Sequence, residues 1–245
     1  MNTLSRRSLI TQSLGAGLAL PALALADEQC GERPDTAPAL QPPLLLTDWP
    51  WLARYREDNA KLLASGARVS TVFIGDSITE AWASTQPDFF SNGIVGRGIS
   101  AQTTPQMLVR MFPDVIALRP NVVHIMAGTN DIAFNTGPMT TQDTKNNLMA
   151  MCDIARMHKL KVVLASIPPA AFFPWRPGLE TAQKIISINE WIRGYAKQIG
   201  ATYADYHRAM SDMKGGMKPG LSSDEVHPTA EGYGVMRTIA ATAIR

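Results

Sequence analysis

The chain has 245 residues, a formal net charge of +2, 45% hydrophobic residues, 18% charged residues and two cysteines. This composition excludes a disordered tail and a small disulfide-stapled scaffold, and the charge is too small to indicate nucleic acid or an anionic membrane as a partner. Cys30 and Cys152 lie far apart in sequence, without a CxxC motif, an HExxH motif or a Cys/His cluster, so neither a structural zinc site nor a redox dithiol is encoded.

Residues 1–26 have the order of a cleavable export signal. Arg6 and Arg7 precede an apolar run, which ends in small residues at Ala24 and Ala26 before the chain turns acidic. We expect cleavage after Ala26 and a periplasmic or secreted protein. The arginine pair resembles a twin-arginine signal, and an ordinary secretory signal is the alternative. A membrane anchor is disfavoured, because glycines and polar residues dilute the run.

Export has consequences for the cysteines and for the charge. Outside the cytoplasm Cys30 and Cys152 can pair, whereas a protein exported already folded can keep them reduced, and the sequence leaves both outcomes open. Arg6 and Arg7 are the only charged residues before position 27, so the chain is formally neutral after cleavage. We therefore expect no stable membrane insertion of the cleaved protein and no general preference for polyanions.

The remainder divides into a proline-rich extension, residues 27–47, and a single predicted domain, residues 48–245. The extension has four prolines and little periodicity, which predicts an extended segment. Regular structure is predicted to begin at Pro50, a residue favoured in the first turn of a helix. The helical stripe that follows is formed by Leu52, Tyr55, Leu62 and Leu63.

Short apolar runs then alternate with amphipathic helices. The predicted strands are Val69–Ile74, Gly93–Val95, Val122–Ala127, Lys161–Ile167 and Thr202–Ala204. The predicted buried helix faces carry Leu148, Met151 and Ala155, then Ile185, Ile188, Ile192, Tyr195 and Ile199, and finally, after Pro228, Tyr233, Met236, Ala240 and Ala243. This alternation predicts a three-layer α/β domain with a parallel sheet. Ligands of such sheets bind at the carboxyl ends of the strands.

Two candidate residues follow the first two strands. Ser77 lies in GDSI at residues 75–78, where its hydroxyl would project into the crevice and its amide would lie near a helix N terminus, which favours negative charge. The alternative is that Ser77 or Asp76 merely caps this helix. Gly98 follows the second strand and can offer an unhindered N–H to a ligand, although a loop glycine is often only a turn residue.

Two further candidate segments follow later in the chain. Asn130, in GTND at residues 128–131, is a neutral donor suited to a developing oxyanion, or else a turn residue. In DEVH at residues 224–227, Asp224 can accept the Nδ1 hydrogen of His227 and leave Nε2 for a serine. The other histidines lack a comparable partner and are predicted to be core or surface residues; they are His124, His158 and His207.

The four segments together resemble the SGNH hydrolases of the GDSL type. The four name-giving residues of that family are present as Ser77, Gly98, Asn130 and His227, and Ile78 replaces the usual Leu of the first block. The resemblance extends from about residue 69 to the end of the chain. It implies the SGNH hydrolase fold, an α/β three-layer sandwich around a flavodoxin-like, five-stranded parallel sheet.

The resemblance also implies a serine esterase mechanism. Ser77 would be the nucleophile and His227 the general base, with Asp224 holding the imidazole in the required tautomer. The oxyanion hole would comprise the Ser77 amide, the Gly98 amide and the Asn130 side chain. No metal ion and no cofactor are implied.

The segment at residues 168–178, after the fourth strand, is long for a connection in such a sheet. Phe172, Phe173 and Trp175 are candidates for an apolar wall or a sugar-stacking platform, and Arg176 for contact with an anionic group. The alternative is a rigid surface loop in which these residues pack on one another. Structural roles, in loops or in the core, are predicted for Asp76, Asp131 and Trp82.

These observations predict an exported carboxylester hydrolase that acts on small acyl esters, with O-acetyl groups on carbohydrate as the first candidate substrate. Alternatives are a lysophospholipase or acetylhydrolase acting on lipid-like esters, a thioesterase, and an acyltransferase in which an alcohol resolves the acyl-enzyme. A non-catalytic glycan-binding protein would be a different class. The complete set of Ser77, Asp224 and His227 disfavours it.

Overall fold

The computed structural model describes residues 44–245. The predicted export signal, Cys30 and most of the predicted proline-rich extension therefore lie outside the described residues. The described end of that extension is not extended as predicted, because it contains a short helix, α1, at Leu44–Thr47. Among the helices described, none is both long and apolar enough to cross a membrane.

The next helix, α2 at Arg56–Ala64, begins later than the sequence predicted. The carboxylate of Asp48 accepts hydrogen bonds from the following turn, including one of 2.7 Å from the Leu52 amide. Trp51 has a φ of 53°, in the left-handed region, so a helix cannot run through it. Leu63, which was predicted to lie on the buried stripe, is 51% exposed.

Five parallel strands form one sheet, as predicted. They are β1 at Thr71–Gly75, β2 at Ile94–Gly98, β3 at Val122–Met126, β4 at Lys161–Ala165 and β5 at Thr202–Ala204. Their order is β2-β1-β3-β4-β5, the flavodoxin-like order of a doubly wound sheet. The pairing of β1 with β2 continues to Gly75 opposite Gly98, so β2 extends beyond the predicted strand through residues with low strand propensity.

The remaining helices alternate with these strands. They are α3 at Ser77–Thr85, α4 at Thr104–Val109, α5 at Met111–Asp114, α6 at Thr129–Ile132, α7 at Thr141–Met157, α8 at Thr181–Ile199, α9 at Tyr206–Met210 and α10 at Ala230–Ala243. A 3₁₀ turn at Ile116–Leu118 leads into β3. The alternation of strand and helix gives the three-layer α/β architecture that the sequence predicted.

Both faces of the sheet are buried, and alternate strand residues belong to different layers. In β1, Val72 and Ile74 pack in the cluster that includes the buried faces of α7 and α8, whereas Phe73 packs in the cluster that includes α3 and α10. The predicted faces of α7, α8 and α10 are the buried ones, except that Ile199 and Ala243 are only partly buried. Because the five strands are parallel, all their carboxyl ends lie at the same edge of the sheet.

Trp82 and His124 are core residues, as predicted. Trp82 is fully buried and stacks on Tyr233, with ring centroids 5.8 Å apart. His124 stacks on Phe73, and its Nε2 lies 2.8 Å from the hydroxyl of Tyr206. Burial lowers the pKa of His124 to about 3, so this imidazole is neutral near pH 7 and has a structural role.

The guanidinium of Arg110 is completely buried beneath the carboxyl ends of β1 and β2. It donates to the carbonyls of Gly75, at 2.8 Å, and Arg97, at 2.7 Å. It also donates to the side chains of Gln102, at 2.6 Å, and Asp114, at 3.3 Å. These acceptors belong to β1, β2, the loop after β2 and α5. Because a guanidinium carries five donors in one rigid plane, a single side chain can join all four segments.

We expect Arg110→Met to lower the free energy of unfolding by about 3–5 kcal/mol, because Asp114 keeps a buried charge without its partner and three other acceptors lose a donor. The matched control is Arg156→Met, since Arg156 is half-exposed and its carboxylate contact is 3.8 Å long. We expect the control to change stability by no more than about 0.5 kcal/mol. Urea unfolding measures both changes, and equal losses would contradict the role given to Arg110.

Candidate active site

Ser77 is the first residue of α3 and directly follows the turn after β1. The cap of this helix is Asp76, whose carboxylate accepts a 3.0 Å hydrogen bond from the Ile78 amide. The Ser77 hydroxyl is therefore not needed for capping, and its Oγ lies 3.0 Å from Nε2 of His227. The amide of Ser77 lies in the first helical turn, where backbone N–H groups favour negative charge.

Asp224 holds the other side of the His227 ring. Its Oδ2 lies 2.6 Å from Nδ1, and its Oδ1 accepts from the backbone amides of His227, at 2.7 Å, and Val226, at 3.0 Å. Burial alone would raise the pKa of Asp224, but these hydrogen bonds lower it to about 2. The carboxylate is therefore ionised at neutral pH and favours the tautomer with hydrogen on Nδ1, which leaves the Nε2 lone pair for Ser77.

Asn130 lies in α6, directly after the loop that follows β3. One N–H of its amide donates to the carbonyl of Gln102, at 3.0 Å, and its Oδ1 accepts from Nδ2 of Asn135, at 2.7 Å. An amide nitrogen carries two hydrogens, so one N–H of Asn130 remains for a ligand.

These side chains meet in a cleft of about 390 Å³ at the carboxyl edge of the sheet. The cleft is lined by Ser77, Ser100, Ala101, Asn130, Asn135, Trp175 and His227. A larger groove, of about 720 Å³, lies at the amino ends of the strands and is lined in part by Ser70, Asn121 and Lys161. It contains none of the predicted site residues, so we place the candidate site in the smaller cleft.

The structure does not bring Gly98 into the cleft. Its carbonyl accepts a hydrogen bond from the hydroxyl of Tyr55, and a Cβ at this position would lie 2.2 Å from the amide nitrogen of Glu80. Glycine is therefore required here because α3 packs directly on the end of β2. Ala101, three residues further on, lines the cleft instead, and its φ of 64° shows the left-handed turn of this loop.

The substrate-binding residues predicted in the segment at residues 168–178 also differ from the structure. Of those four candidates, Trp175 is the one that lines the cleft. Phe173 is fully buried and stacks on Trp175, with centroids 5.2 Å apart. The guanidinium of Arg176 donates to the carbonyl of Ala133, at 3.0 Å, and does not reach the cleft. Phe172 is 48% exposed but is not among the residues that line the cleft. An antiparallel bridge between Phe173 and Arg176, with a 2.9 Å hydrogen bond from the Arg176 amide to the Phe173 carbonyl, makes this segment a tight turn.

Two further carboxylates hold the loops around the cleft. Asp131, as predicted, has a structural role, since it accepts from the Thr104 amide at 3.0 Å and thereby joins α6 to α4. Glu80 accepts from the amide of Ser100, at 2.8 Å, and from Arg54, at 3.0 Å. The sequence prediction missed Glu80, although its place one helical turn after Ser77 was a usable signal.

A sequence model of the GDSL-like Lipase/Acylhydrolase family matches residues 73–235. The chain belongs to this family. This membership makes the chain a hydrolase of ester bonds. None of the curated proteins matches the chain at a significant level.

Several solved structures resemble this acylhydrolase. A GDSL-like lipase from Bacteroides thetaiotaomicron is 42% identical, with a TM-score of 0.76, and the match covers 80% of this chain and 98% of that chain. A candidate acylhydrolase from Bacteroides fragilis is 43% identical, with a TM-score of 0.76 and coverage of 80% and 97%. An acetylxylan esterase from Geobacillus stearothermophilus is 19% identical, with a TM-score of 0.60 and coverage of 72% and 94%, which shows a common fold alone.

The acylhydrolase keeps a completely buried carboxylate, Asp76, immediately before Ser77. Burial raises the pKa of Asp76 from its ordinary value of 3.8 to about 6, although hydrogen bonding to the Ile78 amide and the charge of His227 oppose this shift. The folded state therefore binds the proton more tightly than the unfolded state does. The resulting stabilisation is complete below about pH 4 and is lost as the pH rises through about 6.

We expect Asp76→Asn, which keeps an oxygen for the helix cap but cannot ionise, to gain stability relative to the parent as the pH rises. Between about pH 4 and pH 7 the difference in unfolding free energy should move in favour of the variant by up to about 3 kcal/mol. Denaturant unfolding over this range measures the change. The control is Asp153→Asn, at an exposed carboxylate. A difference between parent and Asp76→Asn that does not vary with pH would contradict the buried ionisation.

Proposed function

We propose that this acylhydrolase is an exported esterase that removes small acyl groups, with O-acetyl groups on carbohydrate as the leading substrate, through an acyl-enzyme on Ser77. The observation that carries the proposal is the hydrogen-bonded series in the cleft. It runs from Ser77 Oγ to His227 Nε2, at 3.0 Å, and from His227 Nδ1 to Asp224, at 2.6 Å. This geometry suits a serine nucleophile with its general base and the carboxylate that orients the base.

In the first half-reaction, Nε2 of His227 takes the hydroxyl proton while Oγ of Ser77 attacks the ester carbonyl carbon. The tetrahedral intermediate collapses with cleavage of the bond to the leaving alkoxide, which receives the proton from His227 and departs as an alcohol. Water then repeats the sequence on the acyl-enzyme, giving the carboxylic acid and free Ser77. The ionised Asp224 stabilises the imidazolium in both halves.

The negative charge on the carbonyl oxygen needs donors that are already oriented. The proposed donors are the backbone amides of Ser77 and Ala101 and the side-chain amide of Asn130, all from residues that line the cleft. Ala101 takes the role that the family resemblance gave to Gly98, because Gly98 lies against α3. Each donor in such a site typically contributes about 100- to 1,000-fold in turnover.

The shape of the cleft favours a small acyl group and a sugar. At about 390 Å³ it accommodates a short ester. One face of the Trp175 ring is covered by Phe173, its indole N–H is satisfied by Asn135, and the residue is still 41% exposed. A rigid, partly exposed indole is suited to stacking on a sugar ring. The acetylxylan esterase of similar fold supports this substrate class by analogy.

A second candidate function is hydrolysis of lipid-like esters with longer acyl chains. The loop that carries Asn135 also lines an apolar groove of about 370 Å³, formed by Phe134, Gly137, Pro138 and Arg176. These residues are neighbours in sequence of the cleft residues Asn135 and Trp175. A longer acyl chain that left the cleft along this loop would gain apolar contact there.

An acyl-chain series distinguishes the two candidates. For p-nitrophenyl esters from acetate to octanoate, we expect kcat/KM of the parent to fall steeply beyond propionate, and we expect release of acetate from acetylated xylo-oligosaccharides. Ser77→Ala should lose hydrolysis of every ester, because the other serine of the cleft, Ser100, donates its hydroxyl to Glu80 and is not hydrogen-bonded to His227. The matched control is Ser84→Ala, an exposed serine of the same helix, which should keep parental activity.

Each outcome of this series supports a different function or a different nucleophile. A kcat/KM that rises with chain length would reject the small-acyl proposal in favour of the lipid-like substrate. Retention of activity by Ser77→Ala would overturn the nucleophile assignment. Binding of acetylated oligosaccharides by the parent without any release of acetate would instead indicate a glycan-binding protein.

A further inference from the structure

Asn135 connects the rim of the cleft to the proposed oxyanion donor Asn130. Its Nδ2 donates to Oδ1 of Asn130, at 2.7 Å, and its Oδ1 accepts from the indole Nε1 of Trp175, at 3.1 Å. The backbone amide of Asn135 also donates to the carbonyl of Asn130, at 3.1 Å. The two asparagines are thus joined through both side chain and main chain, and both line the cleft.

The direction of this hydrogen-bond chain is determined at its two ends. An indole N–H can only donate, so Asn135 must present its oxygen to Trp175 and its NH₂ group to Asn130. A backbone carbonyl can only accept, so Asn130 must present its NH₂ group to Gln102, at 3.0 Å. The two requirements select the same orientation of the Asn130 amide. An unrestrained asparagine amide has two orientations of nearly equal shape, and one of them would direct an oxygen where the oxyanion needs a donor.

We propose that Asn135 and Trp175 are positioning residues that hold the Asn130 amide with its second N–H available to the substrate oxygen. This inference rests on the proposed role of Asn130 as an oxyanion donor. It assigns Trp175 two separate contributions, an apolar contact with substrate through its ring and a constraint on Asn130 through its N–H. Loss of the constraint should lower kcat, whereas loss of the ring should raise KM.

Asn135→Asp is the most informative substitution, because it keeps the size of the side chain and its acceptor for Trp175 but has no donor for Oδ1 of Asn130. Two oxygens would then face each other, and the Asn130 amide would turn to place its NH₂ group on the new carboxylate. We expect kcat to fall by about 10- to 100-fold with little change in KM. A residue that merely completed the loop would tolerate this isosteric change.

Trp175→Phe tests the far end of the chain. Phe retains an aromatic ring to stack on Phe173 but has no N–H, so we expect kcat to fall by about 2- to 10-fold, the effect of one hydrogen bond. Trp175→Ala should in addition raise KM. Asn146→Asp, on the exposed face of α7, is the matched control for the Asn-to-Asp change and should behave as the parent.

A double-mutant cycle with Asn130→Ala decides whether Asn135 acts through Asn130. We expect Asn130→Ala alone to lower kcat by about 100- to 1,000-fold, and Asn135→Asp to add almost nothing in that background. Thermal unfolding of each variant checks that it is folded, and the comparison is made between folded variants.

The results for Asn135→Asp and Asn130→Ala test the positioning role and the oxyanion role separately. If Asn135→Asp kept parental kcat, or if its effect were fully additive to that of Asn130→Ala, the positioning role would be overturned while the oxyanion role of Asn130 would stand. A direct charge effect of the new carboxylate on the oxyanion would also be additive and would count against the inference. If Asn130→Ala kept parental kcat, the oxyanion role and the inference would fall together.

Discussion

The buried guanidinium of Arg110 holds together the chain segments from which the candidate site is built. It binds the carbonyl of Gly75, one residue before the cap of α3, and the side chain of Gln102, in the loop that presents Ala101. The carbonyl of Gln102 in turn accepts from the side chain of Asn130. One buried cation therefore supports the turn before Ser77, the loop after β2 and, through Gln102, the position of Asn130. Burial of a charge is costly, and it is offset here because the guanidinium finds several acceptors and a carboxylate.

The residues before the first strand contribute to the same region. The hydroxyl of Tyr55 donates to the carbonyl of Gly98, and Nε2 of Gln102 donates to the carbonyl of Pro50, at 2.7 Å. Gln106, in α4, donates to the carbonyl of Trp49, at 2.8 Å. The segment that leads into α2 thus packs on the loop after β2 from outside the sheet and limits the conformations that this loop can adopt.

The sequence predicted the candidate site best where a chemically suitable residue directly follows a predicted strand or precedes a predicted helix. The alternation of strands and helices predicted the parallel sheet. Ser77 and His227 could be predicted because Ser77 follows a strand, His227 precedes a helix, and both lie in segments that resemble motifs of the family. The sequence could not show whether Gly98 or Ala101 lies at the cleft, because a motif does not reveal which backbone amides line a site. Asn135 carried no signal, since a lone asparagine in a polar loop is ordinary until its partners are known.

The residues predicted to contact substrate, in the segment at residues 168–178, were predicted less well for a related reason. Aromatic residues in a loop suggest a binding surface, but the turn formed by Phe173 and Arg176 buries the first and uses the second on backbone carbonyls. Trp175 alone of that set remained at the cleft. The start of α2 was missed because the Asp48 side chain and the left-handed Trp51 end the regular pattern locally, and neither effect is visible in hydrophobic periodicity.

We propose that His227 activates Ser77 as the nucleophile of this cleft. The most direct measurement is reaction of the folded protein with a fluorophosphonate probe, followed by mass-spectrometric mapping of the labelled peptide. We expect a single modified residue, Ser77, and much slower labelling of a folded His227→Ala variant. A label on another residue, or an equal rate of labelling in His227→Ala, would contradict it.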